Sequence, residues 1–395
     1  MSNHIKYSVL LLVAGLVAVA SCDKTPTPDP DPESEAILFD KPANSFIVSE
    51  PGLYTFKTFK GKTTEPVGSI ASVEVLWESF GTSEEPSKGN IVSQAYYKDG
   101  QVYFKTPATL KDGNALIAAK DASNNILWSW HIWVCNGWDP VATAHTYYNK
   151  SNGIYSYGAV MDRNLGATSA SVNDVKSFGL LYQWGRKDPF LGWDGTDPEG
   201  HTPAASTLRW PDPVKTDSST GTIEYAIAHP TTILYPGQVS SNVDWYYTDV
   251  ENTTDNTRWQ EKKDLYDPCP AGWTLPRAFV QKDEGLWFDA LVHYPVYIQD
   301  WDRTVHGYDF AGLLGDAASI WYPFNSFYSY IDGKLYNGEN AIINIWSSDV
   351  SADPTMVDGI VFHVDINFQE HLEVKAASYQ ARAEAYPTRC VAVKK

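Results

Sequence analysis

Between residues 36 and 135 apolar side chains recur in short runs, several of them alternating with polar ones. The runs are Ser45-Phe-Ile-Val-Ser, Leu53-Tyr-Thr-Phe-Lys-Thr-Phe, Val73-Glu-Val-Leu-Trp-Glu, Ile91-Val-Ser-Gln-Ala-Tyr-Tyr, Gln101-Val-Tyr-Phe-Lys-Thr, Ala115-Leu-Ile-Ala-Ala-Lys and Ile126-Leu-Trp-Ser-Trp-His-Ile-Trp-Val. Alternation places successive side chains on opposite faces of a strand, and seven such runs broken by turn-formers predict a β-sandwich. Turns are written at Lys98-Asp-Gly, Lys111-Asp-Gly-Asn and Ala122-Ser-Asn-Asn. In the last run Trp128, Trp130 and Ile132 share one face, and Ser129, His131 and Trp133 share the other. Both faces are expected to be covered, so His131 reads as a hydrogen-bonded junction histidine rather than a ligand.

Asn136-Gly-Trp-Asp-Pro ends this pattern and sets a boundary at about 135 to 140. Beyond it, Tyr157-Gly-Ala-Val-Met-Asp is strand-like, and Gly192 to Lys263, rich in Pro, Thr, Asp and Ser, reads as long surface loops with short elements such as Ile223 to Ala228. Gln281 to Val292, with Leu286, Trp287, Phe288 and Leu291 apolar, fits one amphipathic helix. Asp267-Pro-Cys-Pro-Ala-Gly-Trp-Thr-Leu-Pro is a rigid corner: its prolines fix φ, and Gly272 admits a backbone conformation closed to other residues. The fold class expected is α+β leaning to mostly β, in two domains at 36–135 and 140–395.

The first 21 residues read as an export leader, with Lys6 as the positive flank and a twelve-residue apolar run from Val9 to Ala20, too short to span a bilayer. Val19-Ala20-Ser21-Cys22 resembles the lipobox of bacterial lipoproteins, which makes Cys22 the expected lipidation site. Asp23 to Glu35 alternates proline with acidic and hydroxyl residues that cannot bury a core. With Cys22 these residues form a tether over 22–35; near polyproline II its thirteen residues after Cys22 reach roughly 40 Å. An anchor, a spacer and a globular part imply an outer-membrane lipoprotein exposed at the cell surface, with membrane contact through the lipid alone.

Composition supports folding, at 43% hydrophobic and 14% aromatic, and the formal charge of −18 argues against nucleic acid, which needs a basic footprint. Export permits disulfides. With Cys22 acylated, Cys135, Cys269 and Cys390 remain, and an odd count leaves one thiol free; Cys135, at the domain boundary, is the candidate.

Asp162-Arg-Asn-Leu-Gly-Ala, Gly179-Leu-Leu-Tyr-Gln-Trp-Gly-Arg-Lys-Asp-Pro-Phe, the Asp267 to Pro276 corner, Trp346-Ser-Ser and Arg389-Cys-Val, in that order, resemble the Fibrobacter succinogenes major paralogous domain family. The resemblance covers roughly 140 to 395. It implies a loop-rich, C-type-lectin-like fold with its ends side by side in one sheet and a cysteine bridge that falls on Cys269 and Cys390. Closing a loop of about 120 residues contributes about 5 kcal/mol in the chain-entropy model. The preceding runs resemble the Ig-like module that accompanies such domains in lipoproteins of gut anaerobes, and some relatives resemble pilus-tip adhesins.

Catalytic spacing is hard to find. Asp283-Glu284 and Asp300-Trp-Asp302 read as solvated surface, and neither Gly-x-Ser-x-Gly nor His-Glu-x-x-His occurs. His363 and His371 have no third ligand nearby at metal spacing. The lectin calcium motifs are missing too, and Asp194-Gly-Thr-Asp-Pro-Glu, open in principle to a hard cation, reads as a polar loop. No catalytic residue, metal or cofactor is therefore assigned.

Trp321 to Asp349, by contrast, packs four Tyr, two Phe, two Trp, four Asn and four Ser into 29 residues, a composition suited to adaptable recognition. Trp321, Phe324 and Trp346 are expected in the core; Tyr328, Tyr330, Tyr336, Asn337, Asn340 and Asn344 are expected to cluster at the surface and bind ligand. The expected function is a non-catalytic surface adhesin for a glycan or a host or bacterial surface protein. A pilus-tip subunit with pilus partners and a carbohydrate-active enzyme are the alternatives.

Overall fold

A computed structural model describes residues 32–148, 155–197, 201–238, 243–250, 253–278, 285–291, 296–302, 304–314, 319–336, 342–353, 357–367 and 369–393. Of residues 1–35, which form a unit of their own, only the 3-10 turn Pro32–Glu35 is described, so Cys22 lies outside the described residues. Ala36–Lys395 forms one compact unit. It is mostly β, with several sheets and a few short helices, among them Ile223–Ala228, Lys263–Tyr266, Leu286–Ala290 and Ala311–Leu314. No described helix is long and apolar enough to cross a membrane.

All seven N-terminal runs contain strands: Ser45–Val48, Leu53–Lys57, Ser72–Ser79, Gln94–Lys98, Gln101–Lys105, Gly113–Lys120 and Ile126–Val134. An eighth, Ile37–Phe39, was too short to announce itself and pairs in parallel with Leu53–Lys57. They make two four-stranded sheets around one core, in which Phe46, Phe56, Phe104, Ile117, Trp128 and Trp130 are buried. Asp99 and Gly100 both hold positive φ between Gln94–Lys98 and Gln101–Lys105, the geometry a two-residue hairpin loop demands.

The opposite face of Ile126–Val134 is covered as well. Trp133 and Cys135 join a second core with Met161, Leu165, Trp184, Trp259 and Trp346, so this sheet lies between two cores. Beyond it, strand Tyr155–Val160 pairs with Val391–Ala392 (Val160 opposite Val391), which in turn pairs with Trp273–Thr274. A third core lies against an antiparallel sheet ordered Val296–Ile298, Leu372–Ala381, Asp358–Ile366, Ile343–Val350. Helix Leu286–Ala290 contributes Leu286 and Trp287 to that core; it occupies part of the amphipathic stretch, whose residues 281–284 and 292 lie outside the described residues.

The Asp267 corner ties these layers together. Cys269 and Cys390 are bridged, and Cys135 is free and buried. Asp267 Oδ1 accepts from the Cys269 N–H (2.9 Å) and Oδ2 from the Thr274 hydroxyl (2.6 Å). Lys62 pairs with the same carboxylate at 2.8 Å, and Asn44 and Ser45 donate to the carbonyls of Asp267 and Pro268. Gly61, at φ +57°, lets the Lys60–Lys62 turn approach: a Cβ there would lie 2.3 Å from the Asp264 carbonyl oxygen.

Candidate functional site

The charged residues of the longest motif do not face solvent. Arg186, Lys187 and Asp188 are nearly fully buried. Arg186 donates to Gln183 Oε1 and to the carbonyls of Ala226, His229 and Thr232. Lys187 Nζ lies 2.6 Å from Asp188 Oδ1 and 2.7 Å from Ser129 Oγ, which itself donates to Asp188 at 2.6 Å. The ammonium also sits 4.5 Å from the centroid of Trp128. Burial lowers the Lys187 pKa and the Asp188 charge offsets part of that shift. Next to this pair, His131 Nε2 meets Asn114 Oδ1 at 2.8 Å and Nδ1 meets Ser45 Oγ at 3.0 Å. Desolvation holds this imidazole down at about 3, hence neutral. Around Lys187, Asp188 and His131 the junction is a closed polar network, whereas Arg186 Nε is buried without a hydrogen-bond partner among the described residues.

The open site lies elsewhere. A groove of about 540 Å³ runs between the hairpin Phe327–Tyr328/Leu335–Tyr336 and a wall from the long loops, Trp210 to Pro213 with Pro203, Thr231 and Ile233. The hairpin is carried by a five-stranded sheet ordered Phe190–Leu191, Leu180–Gln183, Ala385–Tyr386, Phe327–Tyr328, Leu335–Tyr336. Gly333, at φ +69°, lets the hairpin close on that wall: a Cβ would lie 2.5 Å from Pro213 Cβ. On the other side, Val214–Lys215 pairs in parallel with Leu234–Tyr235 and braces the Trp210–Pro213 segment.

Within the groove the polar atoms of Trp210, Tyr328 and Tyr336 are tied back into the protein, and His201 stands edge-on to Tyr336. Trp210 Nε1 donates to Ser206 Oγ (2.9 Å), Tyr328 Oη to the Leu191 carbonyl (3.0 Å) and Tyr336 Oη to Asp332 Oδ2 (2.8 Å). Burial raises the Tyr328 phenol well above its ordinary pKa, and the Asp332 hydrogen bond raises that of Tyr336. The rings lean on one another: Trp210 against Trp77 and Phe190, Tyr328 edge-on to Phe190, Tyr336 over Phe327.

The structure thus brings together Tyr328 and Tyr336 from the expected face. Tyr330 is half-buried and packs against the cluster of Ala226, Leu234 and Trp245 instead of lining the groove. Asn344 corrects the expectation of exposure. It lies in Ile343–Val350, fully buried, because its partners are across the sheet: His363 Nδ1 donates to Asn344 Oδ1 at 2.7 Å, and the Asn344 N–H donates to Asn325 Oδ1. Asn337 and Asn340 lie outside the described residues. Trp321 and Trp346 are buried, as expected, whereas Phe324, expected beside them in the core, is half-buried at its edge. Sequence reasoning missed Trp210, and its signal was Trp-Pro-Asp-Pro, one large aromatic fixed among prolines inside a polar loop.

Behind the groove, Tyr386 packs on Phe327 and donates from its hydroxyl to Glu384 Oε2 (2.8 Å). Glu384 is pushed up to about 7 by burial, and His363 down to about 4 by burial with Lys375 adding to the shift. Asp194 spends its carboxylate on Thr196 N and Oγ1, and Asp197 on the amides of His201 and Thr202, so both close their own loop. Among the described residues no three His, Cys, Asp or Glu side chains are grouped to hold a metal. Comparison with family models, curated proteins and solved structures gives no match.

Proposed function

We propose that the chain is a lipid-anchored, surface-exposed, non-catalytic binding protein: an Ig-like spacer followed by a C-type-lectin-like head whose recognition face is the Trp210–Tyr336 groove. The observation that carries this reading is the groove itself, a concave, pre-formed aromatic surface within the size range of ligand sites, about 300–1,000 Å³. Its lining holds one carboxylate, Asp212, whereas glycoside hydrolysis ordinarily needs a pair. Support for a lectin-like head comes from Val160 pairing with Val391, which sets the beginning of 140–395 beside its end. Two sheets around one core support the spacer.

An array of glycans and surface proteins probed with the full chain tests the reading. Binding should fall roughly tenfold or more in Trp210→Ala and stay unchanged in Tyr379→Ala, an exposed tyrosine that does not line the groove. Binding indifferent to Trp210→Ala places recognition on another surface. Cys22→Ala should release the protein from the membrane fraction, and retention there removes the lipid anchor from the proposal.

A further inference from the structure

We infer that the groove takes a neutral oligosaccharide, bound by stacking and rim hydrogen bonds without a metal ion; this rests on the reading of the groove as the recognition face. Trp210 Nε1, Tyr328 Oη and Tyr336 Oη all donate to protein acceptors, and Pro203, Pro211 and Pro213 have no N–H to give. The floor is therefore ring surface. The negative faces of such rings attract C–H bonds of a pyranose. At the rim, the side chains of Asp212, Lys334 and Thr231 line the groove and make no hydrogen bond or ion pair among the described residues.

That combination sorts ligand chemistries. A proline-rich peptide presents a row of carbonyls, which only accept, and in the groove it would meet mainly the donors of Lys334 and Thr231, because those of Trp210, Tyr328 and Tyr336 are already spent. Sugar hydroxyls both donate and accept, so Asp212 can take a hydrogen bond, Lys334 can give one and Thr231 can do either. Charge decides between neutral and acidic sugars. One carboxylate and one ammonium cancel at the rim, and the formal charge of −18 repels anionic glycans at long range.

Titration calorimetry of the full chain with cellotetraose, xylotetraose, mannotetraose and galactotetraose, each with and without EDTA, tests the inference beside a polygalacturonate fragment and a proline-rich peptide. At least one neutral tetrasaccharide should bind equally with EDTA present, and binding should drop roughly tenfold in Trp210→Ala. Because Trp210 also packs on Trp77, Lys334→Ala provides the second variant, with a smaller loss and an unchanged melting curve. Tyr379→Ala, at an exposed tyrosine outside the groove lining, should bind like the parent. Peptide binding that Trp210→Ala abolishes overturns the sugar class and keeps the groove; polygalacturonate binding so abolished overturns neutrality and keeps the groove; saccharide binding that neither variant weakens overturns the groove reading. A requirement for calcium, or no binding of any neutral tetrasaccharide, overturns the inference.

Discussion

The junction under Trp133 and the groove beside Tyr336 use the same materials, and only one of them is open. Each has tryptophan and tyrosine surface and one lysine with one aspartate: Lys187 with Asp188 in the first, Lys334 with Asp212 in the second. In the junction the two charges sit 2.6 Å apart, and the Ser129 hydroxyl accepts from the ammonium and donates to the carboxylate. In the groove they stand exposed on opposite walls. Aromatic and charged composition alone therefore does not mark a binding face. What separates the two regions is whether the lysine and the aspartate have found each other inside the chain.

The largest effect expected lies outside both regions, at the Asp267 corner. Replacing Cys269 and Cys390 with alanine should lower stability by about 5 kcal/mol, read as a shift in denaturant midpoint against the parent. The junction comes next. Lys187→Met leaves Asp188 buried and unpaired, at a cost of about 3–5 kcal/mol. The double variant Lys187→Met/Asp188→Asn should recover part of that loss; a double variant as unstable as the sum of its singles contradicts a closed network.

Titration separates the regions further. His131 is held at about 3 in the fold against an ordinary 6.5, so the folded state binds fewer protons and stability falls as pH drops from 6.5 toward 3. Glu384 is raised to about 7 from 4.5, so the folded state binds the extra proton and stability falls as pH rises from 4.5 to 7, by about 3 kcal/mol. Melting curves across pH 4 to 8 should show Glu384→Gln flattening the upper limb and gaining on the parent at pH 8, while His131→Gln flattens the lower one. The smallest effects belong to the groove rim, where Lys334→Ala and Asp212→Asn should change stability by no more than about 0.5 kcal/mol. A larger loss in urea unfolding shows that the rim is structural and erases the contrast.

How much of this was legible follows the range of the interactions involved. The seven strands and the two-sided burial of Trp128 to Val134 were readable because period-two alternation is local, and His131 was read correctly from its neighbours alone. Asn344 was not: Ile343-Asn344-Ile345 alternates as a half-exposed strand does, and the partner that permits its burial, His363, belongs to another strand. Trp210 escaped for the same reason. A loop tryptophan becomes a groove wall only when a hairpin more than a hundred residues later closes against Pro213, and no local pattern carries that distance.

The bridge at the corner has a mechanical side. Cys269 and Cys390 close off the 120 residues between them, and Tyr328 and Tyr336 lie inside that loop, whereas Trp210 lies outside it. A pull applied to the chain before Cys269 and after Cys390 would pass through the covalent bridge instead of along the enclosed residues. About 420 Å of contour length, at ~3.5 Å per residue, is thereby withheld from extension. Unravelling under load is confined to the chain before Cys269, so one wall of the groove can be drawn away while the hairpin that forms the other remains in place.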